Sequence, residues 1–282
     1  MNRWRCLPFE KLSAFENMAI DEAVFRENQK NDVPPTLRLY GWSVPSVSIG
    51  YFQDISKEVD QETCRKYQYD IVRRPTGGKA VFHFNDLTYA VIGKINNQPF
   101  TDDVIGTYKV ISHCICQGLA KLNIKTKMAE KKRPSIENAL ETFCFSVPSI
   151  HELLVDGKKI CGSAQVRSHG SFLQHGSLMI SFDPFKTQEV LLPHLDRNTQ
   201  VSELLRSVTS LTDHYQGEID IPTICRAFRE GIEDSLKIRL IDGHLTREEK
   251  TLKEHLIHKY KSNEWNQTHR CLTTSSPNPF PV

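Results

Sequence analysis

The dipeptide Asp156-Gly157 stands between two runs of strand-forming residues, Ile150 to Val155 and Lys158 to Val166. Asp-Gly supplies the two positive-φ positions that a two-residue hairpin requires, so the spacing predicts an antiparallel strand pair in mid-chain. Phe172 to Phe182 is expected to add a third strand. The chain must therefore build around a sheet.

The flanking segments supply helices and further strands. Ser13 with Glu16 reads as a capping box, and Phe15, Met18, Ala19, Glu22 and Phe25 follow helical spacing to about Asn28. Thr36 to Tyr40 and Val47 to Tyr51 alternate in period two and read as paired strands. A polar helix is expected over Ser56 to Tyr67 and a strand over Asp70 to Arg74. Two more strands, Lys79 to Phe84 and Leu87 to Ile92, are expected to meet at an Asn85-Asp86 turn. A buried helix spans Asp103 to Leu122, and a loop is expected over Lys127 to Pro148. Past Pro184 the pattern is helical over 184–192, 201–211, 221–236 and 246–261, with a short strand from Ile238 to Ile241. The expected fold is α+β, one domain over 1–270 with a central mixed or antiparallel sheet flanked by helices, then a frayed tail over 271–282.

Composition removes several function classes. Lys and Arg total 36 against 34 Asp and Glu, so the net charge of +2 gives no reason to expect a nucleic-acid partner. Apolar runs fall far short of the roughly 20 residues that span a bilayer, and the first residues lack a signal-peptide apolar region. A cytoplasmic protein with no membrane partner is expected. The eight cysteines include no Cys-x-x-Cys pair, which argues against a structural zinc or redox site, and no metal is expected.

Three constellations carry possible chemistry. In Arg73-Arg74-Pro75-Thr76-Gly77-Gly78-Lys79-Ala80-Val81-Phe82-His83, two glycines after a strand let backbone N–H groups approach a ligand, with Arg74, Lys79 and His83 as surrounding donors. Taken alone, the same residues make a tight turn on a basic edge. The stretch is not a nucleotide P-loop, because Arg73 stands where Gly is needed and Ala80 follows the lysine. In Gly157 to Gln165, period two puts Lys159, Cys161, Ser163 and Gln165 on one strand face and Lys158, Ile160 and Gly162 on the other. A solvated face after a turn would give the same pattern. Third, Cys144 lies in a loop fifteen residues before Lys159, whose charge would favour a thiolate. Cys161 is a rival nucleophile, and inert packing is the ordinary fate of any single cysteine. His255 and His258 do not form the His-Glu-x-x-His zinc pattern, and Lys131-Lys132-Arg133 is a basic run suited to an acidic protein partner.

At these residues the sequence resembles the biotin/lipoate protein ligase catalytic-domain superfamily, and more closely its cysteine-dependent octanoyltransferases of the LipM type. The resemblance rests on Asn17 to Glu22, Tyr40-Gly41-Trp42, Gly50-Tyr51-Phe52-Gln53, the 73–83 loop, Leu87-Thr88-Tyr89, Cys144-Phe145, Gly157 to Gln165, Leu173 to Ser177 and Glu264-Trp265-Asn266, in order along the chain. Lys79 and Cys161 depart from the family's usual Gly or Arg and Ala or Ser. The resemblance implies a superfamily-like catalytic fold with its core at about 31–245. It also implies an acyl-chain site built from Arg74, Thr76, Gly77, Gly78, Lys79, Ala80, His83, Gly162, Ser163 and Ala164. Cys144 is implied as the acyl-thioester nucleophile and Lys159 as the group that lowers its pKa and positions the acyl carbonyl. The implied donor is octanoyl-acyl carrier protein and the acceptor a lysine of a lipoyl domain such as glycine cleavage H protein, with no cofactor and a monomeric enzyme. An amidotransferase between H protein and dehydrogenase lipoyl domains, an ATP-dependent lipoate ligase and a noncatalytic acyl-binding protein are the alternatives.

Overall fold

The computed structural model describes residues 2–30, 33–95, 98–129, 152–191 and 196–268. Cys144, the Lys131-Lys132-Arg133 run, most of the expected 127–148 loop and the expected tail lie outside the described residues.

The chain begins with β1 (Arg3–Cys6), β2 (Glu10–Leu12) and α1 (Ala14–Lys30), followed by β3 (Thr36–Trp42) and β4 (Ser46–Ile49). Two short helices, α2 (Ile55–Glu58) and α3 (Gln61–Lys66), precede β5 (Asp70–Arg73), β6 (Val81–His83) and β7 (Asp86–Lys94). Helix α4 (Val104–Lys121) leads to β8 (Lys127–Met128), then β9 (Leu153–Val155), β10 (Lys158–Ser168) and β11 (Ser171–Met179) follow. The remainder is α5 (Pro184–Val190), α6 (Arg197–Ser207), α7 (Ile221–Leu236), β12 (Arg239–Asp242), α8 (Arg247–Lys261) and α9 (Asn263–Thr268).

A nine-stranded mixed sheet runs β12-β1-β3-β7-β11-β10-β9-β8 with β2 beside β3, and a separate three-stranded sheet runs β5-β4-β6. The α+β reading with a central mixed sheet holds. The Asp156-Gly157 hairpin forms as expected, with φ of 48° and 79° at the two turn residues. The capping box also forms, Ser13 Oγ accepting from Glu16 N and Glu16 Oε2 accepting from Ser13 N, each at 3.3 Å.

Central strands are buried on both faces. Tyr89 and Val91 of β7 pack with Ile115 and Leu119 of α4 and Phe228 of α7. Ala90 and Ile92 face the other way, toward Met18 and Phe25 of α1 and Leu256 of α8. Val47, Ile49, Phe82, Val190 and Leu204 form a third core beneath the small sheet.

Several expectations are corrected. The strands expected to pair, β3 and β4, belong to different sheets, and so do β6 and β7. Asp86 is the first residue of β7 rather than part of a turn. Alternation and turn residues report a strand's own conformation, whereas its partner is chosen by long-range packing. The expected helix over 56–67 is two helices, capped separately by Asp54 and Asp60. β1, β2 and α9 had no clear signal, being too short to show a period.

Candidate active site

The 74–80 loop connects β5 to β6 and is braced from within. The Arg74 guanidinium donates to the carbonyls of Gly77 (2.8 Å), Lys79 (2.7 Å) and Ser48 (3.0 Å). Gly78 has φ +87°, which a side chain would strain, and a side chain at Gly50 would run into the Gly78 carbonyl. Thr76 is fully buried, and its hydroxyl meets His175 Nε2 at 2.6 Å. Arg73 faces away from the cleft. Its guanidinium donates to Gln53 O (2.6 Å), Tyr51 O (2.8 Å) and Asn266 O (2.7 Å), while its own N–H donates to Asn266 Oδ1 at 2.7 Å.

A cleft opens between the α1 face of the large sheet and the small sheet. Its apolar wall is Met18, Tyr40, Trp42 and Val81, and its polar groups include Ser48, Arg74, His83 and His175. Apolar walls with a few fixed polar groups suit a ligand that combines a hydrocarbon chain with one polar end. Of the expected site residues, Arg74, His83, Gly162, Ser163 and Ala164 line the cleft. Thr76, Gly77, Gly78, Lys79 and Ala80 form the loop around Arg74 rather than the wall of the cleft itself.

Two histidines enter through buried polar chains. His175 Nδ1 lies 3.2 Å from Asp21 Oδ2, and Asp21 also accepts from Arg38 (2.7 Å) and Tyr40 (2.9 Å). Burial pushes the His175 pKa down against the opposing pull of Asp21, so the ring is neutral at pH 7. Neutral His175 donates from Nδ1 to Asp21 and accepts from Thr76 at Nε2. Burial opposes ionisation of Asp21, but Arg38 and His175 together hold its carboxyl below the usual range. His83 lies between Ser48 Oγ and Asp86 Oδ2, 2.8 Å from each, and stacks on Trp42 with ring centroids 3.9 Å apart.

Lys159 is placed differently from the period-two expectation. The β10–β9 ladder pairs Lys159 with Leu154 and Cys161 with Leu153, leaving Ile160 as an extra residue in a bulge. Adjacent residues of β9 point to opposite faces, so Lys159 and Cys161 do too. Lys159 joins the face of Gly162, where an added Cβ would come within 2.7 Å of its Cε and 2.9 Å of its Nζ. Its Nζ is 2.5 Å from Oε1 of Glu152, a residue that no motif marked. Cys161 is buried in the opposite core, and burial outweighs the Lys159 charge to push its thiol to about 12. Burial thus disfavours a thiolate at Cys161.

Burial likewise raises the thiols of Cys6, Cys64, Cys114, Cys116 and Cys225. Among the described residues, no group of three or more His, Cys, Asp or Glu is arranged to hold a metal, and no helix is long and apolar enough to cross a membrane. The sequence motifs contained Asp21, Trp42 and His175 without showing their roles. Their buried contacts emerge only when α1, β3 and β11 are brought together.

Residues 13–233 match the Lipoyl protein ligase A/B catalytic domain family. The chain is 41% identical to Octanoyltransferase LipM of Kyrpidia tusciae over 274 residues, covering 94% of this chain and 99% of that protein. It is 36% identical to Octanoyltransferase LipM of Bacillus subtilis over 270 residues, covering 93% and 97%. Its fold is similar to a solved bi-partite lipoate protein ligase from Thermoplasma acidophilum, with a TM-score of 0.80 at 24% identity, covering 97% of this chain and 100% of that one.

Proposed function

The chain belongs to the lipoyl protein ligase A/B catalytic-domain family, and from that premise we propose how it works as an octanoyltransferase. It is an acyltransferase of lipoate biosynthesis. In our reading the octanoyl chain of an acyl carrier protein thioester occupies the cleft, and the Cys144 thiolate attacks the carbonyl. The carrier thiolate leaves and takes up a proton, and the octanoyl group remains on Cys144 as a thioester. A deprotonated lysine amine of a lipoyl domain, glycine cleavage H protein being the favoured acceptor, then attacks that thioester. The amide forms, the amine loses its second proton, and the Cys144 thiolate returns. Thioester exchange is nearly thermoneutral and amide formation runs downhill, so this sequence balances without ATP or a metal. The Lys159 ammonium serves as donor to the tetrahedral oxyanion.

The observation that carries this reading is the position of Lys159 against Gly162 in the cleft wall. Ala129 and Glu152, which flank the segment containing Cys144, are joined by a 2.9 Å backbone hydrogen bond. Both ends of that segment are therefore held next to the β10 lysine.

Intact mass measurement after incubation with octanoyl-acyl carrier protein tests the reading. One octanoyl group should appear on the wild type and on Cys161→Ala, and none on Cys144→Ala. An adduct that survives Cys144→Ala would remove that thiol from the mechanism. Modification of the lipoyl domain by free octanoate and ATP, independent of Cys144, would instead identify a ligase. Acceptance of octanoyl-H protein but not the acyl carrier would identify an amidotransferase.

A further inference from the structure

Lys159 and Glu152 are buried together, with side-chain exposures of 0% and 3%. Burial disfavours a lone ammonium, and breaking a buried pair by removing one partner is far more damaging than removing both. The two partners are also held unequally. Glu152 sits on the rigid end of a ladder, its carbonyl accepting from Ala129 N, while Leu153 beside it pairs with Met128 and Cys161. Lys159 reaches it through a flexible four-carbon stem, in space that exists because residue 162 has no side chain.

Among the described residues, Cys161 on β10 interacts with both members of the pair and Tyr108 on α4 with Glu152, while Cys116 on α4 and Tyr89 on β7 lie beside those two groups. Burial raises all four, so they are neutral near pH 7.

We propose that Glu152 is a positioning residue for acyl transfer: its carboxylate holds the Lys159 ammonium against Gly162 at the cleft wall and keeps it protonated. The proposal rests on the acyl-transfer role of Lys159 given above. Without the carboxylate, the buried ammonium is discharged as pH rises through a lower value than in the wild type. Transfer that depends on the ammonium then fails at lower pH.

The test is the pH profile of octanoyl transfer for Glu152→Gln and Glu152→Asp, together with a carbon-13 NMR titration of Lys159 Cε assigned with Lys159→Arg. Glu152→Gln is expected to transfer about tenfold more slowly near neutral pH. Its basic limb should move down by about one pH unit or more. Glu152→Asp keeps the charge and should return the limb to its wild-type position at a reduced rate. Lys159 itself should titrate earlier in Glu152→Gln. An unmoved limb, a loss of rate equal at every pH, or an unchanged Lys159 titration would overturn the proposal. If the wild type takes up no octanoyl group, the acyl-transfer reading falls and the NMR titration alone decides the pairing. If Glu152→Gln does not fold, recovery of a folded chain on adding Lys159→Met supports the pairing, and failure of that double variant overturns it.

Discussion

A thiol about 4 Å from Lys159 Nζ would gain about 4 kcal/mol from the ammonium at an effective dielectric near 20, and a carboxylate about 2 Å farther away would cancel about 3 of it. The remaining ~1 kcal/mol lowers a thiol by about one pKa unit, toward neutral pH. The double variant Lys159→Met with Glu152→Gln, which removes the ammonium without leaving a buried carboxylate unpaired, should therefore be acylated by octanoyl-acyl carrier protein more slowly by about tenfold or more; an unchanged rate in a stopped mass assay would refute the role of Lys159. His175 gives a separate prediction. Burial lowers its folded pKa, so the unfolded chain binds the proton first, and stability falls as pH drops below the ordinary histidine value of about 6.5. Asp21, held below its usual range by Arg38 and His175, adds a loss at still lower pH, as its folded pKa is crossed. Thermal midpoints measured from pH 7 to 5 should decline, and His175→Gln should flatten that decline. The strand that carries Lys159 was legible in the sequence, but the direction of the lysine was not. Strand alternation assumes one residue per register step, and the extra Ile160 reverses the face of everything before it.

At the scale of elements, the turn in the loop was readable and its anchor was not. Gly77-Gly78 announced a backbone turn, yet Arg73, expected beside it as part of a basic edge, is buried in α9 contacts. Trp265 Nε1 donates to Arg73 O at 2.9 Å, and Trp265 packs against Tyr51 and Tyr260. Nothing in a six-residue helix near the end of the sequence shows that it supports a loop almost two hundred positions earlier. Trp265→Ala should cost about 3–5 kcal/mol in urea unfolding. Arg73→Lys should not substitute, because one ammonium cannot reach the spread of carbonyls that the planar guanidinium spans, and a loss of about 2–3 kcal/mol is expected. A Tm within a degree of wild type for either variant would refute the anchoring role. The turn of the hairpin at 156–157 was legible because its signal is local, whereas β3, β4, β6 and β7 were visible as strands but assigned to the wrong neighbours.

Over the whole molecule, the cleft belongs to neither sheet alone, since Ser48, Val81 and His83 come from the small sheet and Thr88, Gly162 and His175 from the large one. A ligand there binds only the assembled state. Octanoate at about 100 times its dissociation constant should stabilise the chain by about 2.7 kcal/mol. That shift should appear as a higher thermal midpoint and slower amide exchange in β4 and β6; no shift at saturation would place the acyl site elsewhere. The general architecture followed from the sequence because helices and strands are local, while the cleft did not because it is made by two sheets meeting. The Arg73–Asn266 bond closes a span of 193 positions. At roughly 5–20 residues per second, synthesis separates its two ends by about 10–40 s. During that interval Arg73 holds only the carbonyls of the 50–53 segment, made before it, so a ribosome that stalls before α9 leaves the loop half anchored, its arginine still short of the partners that complete its burial.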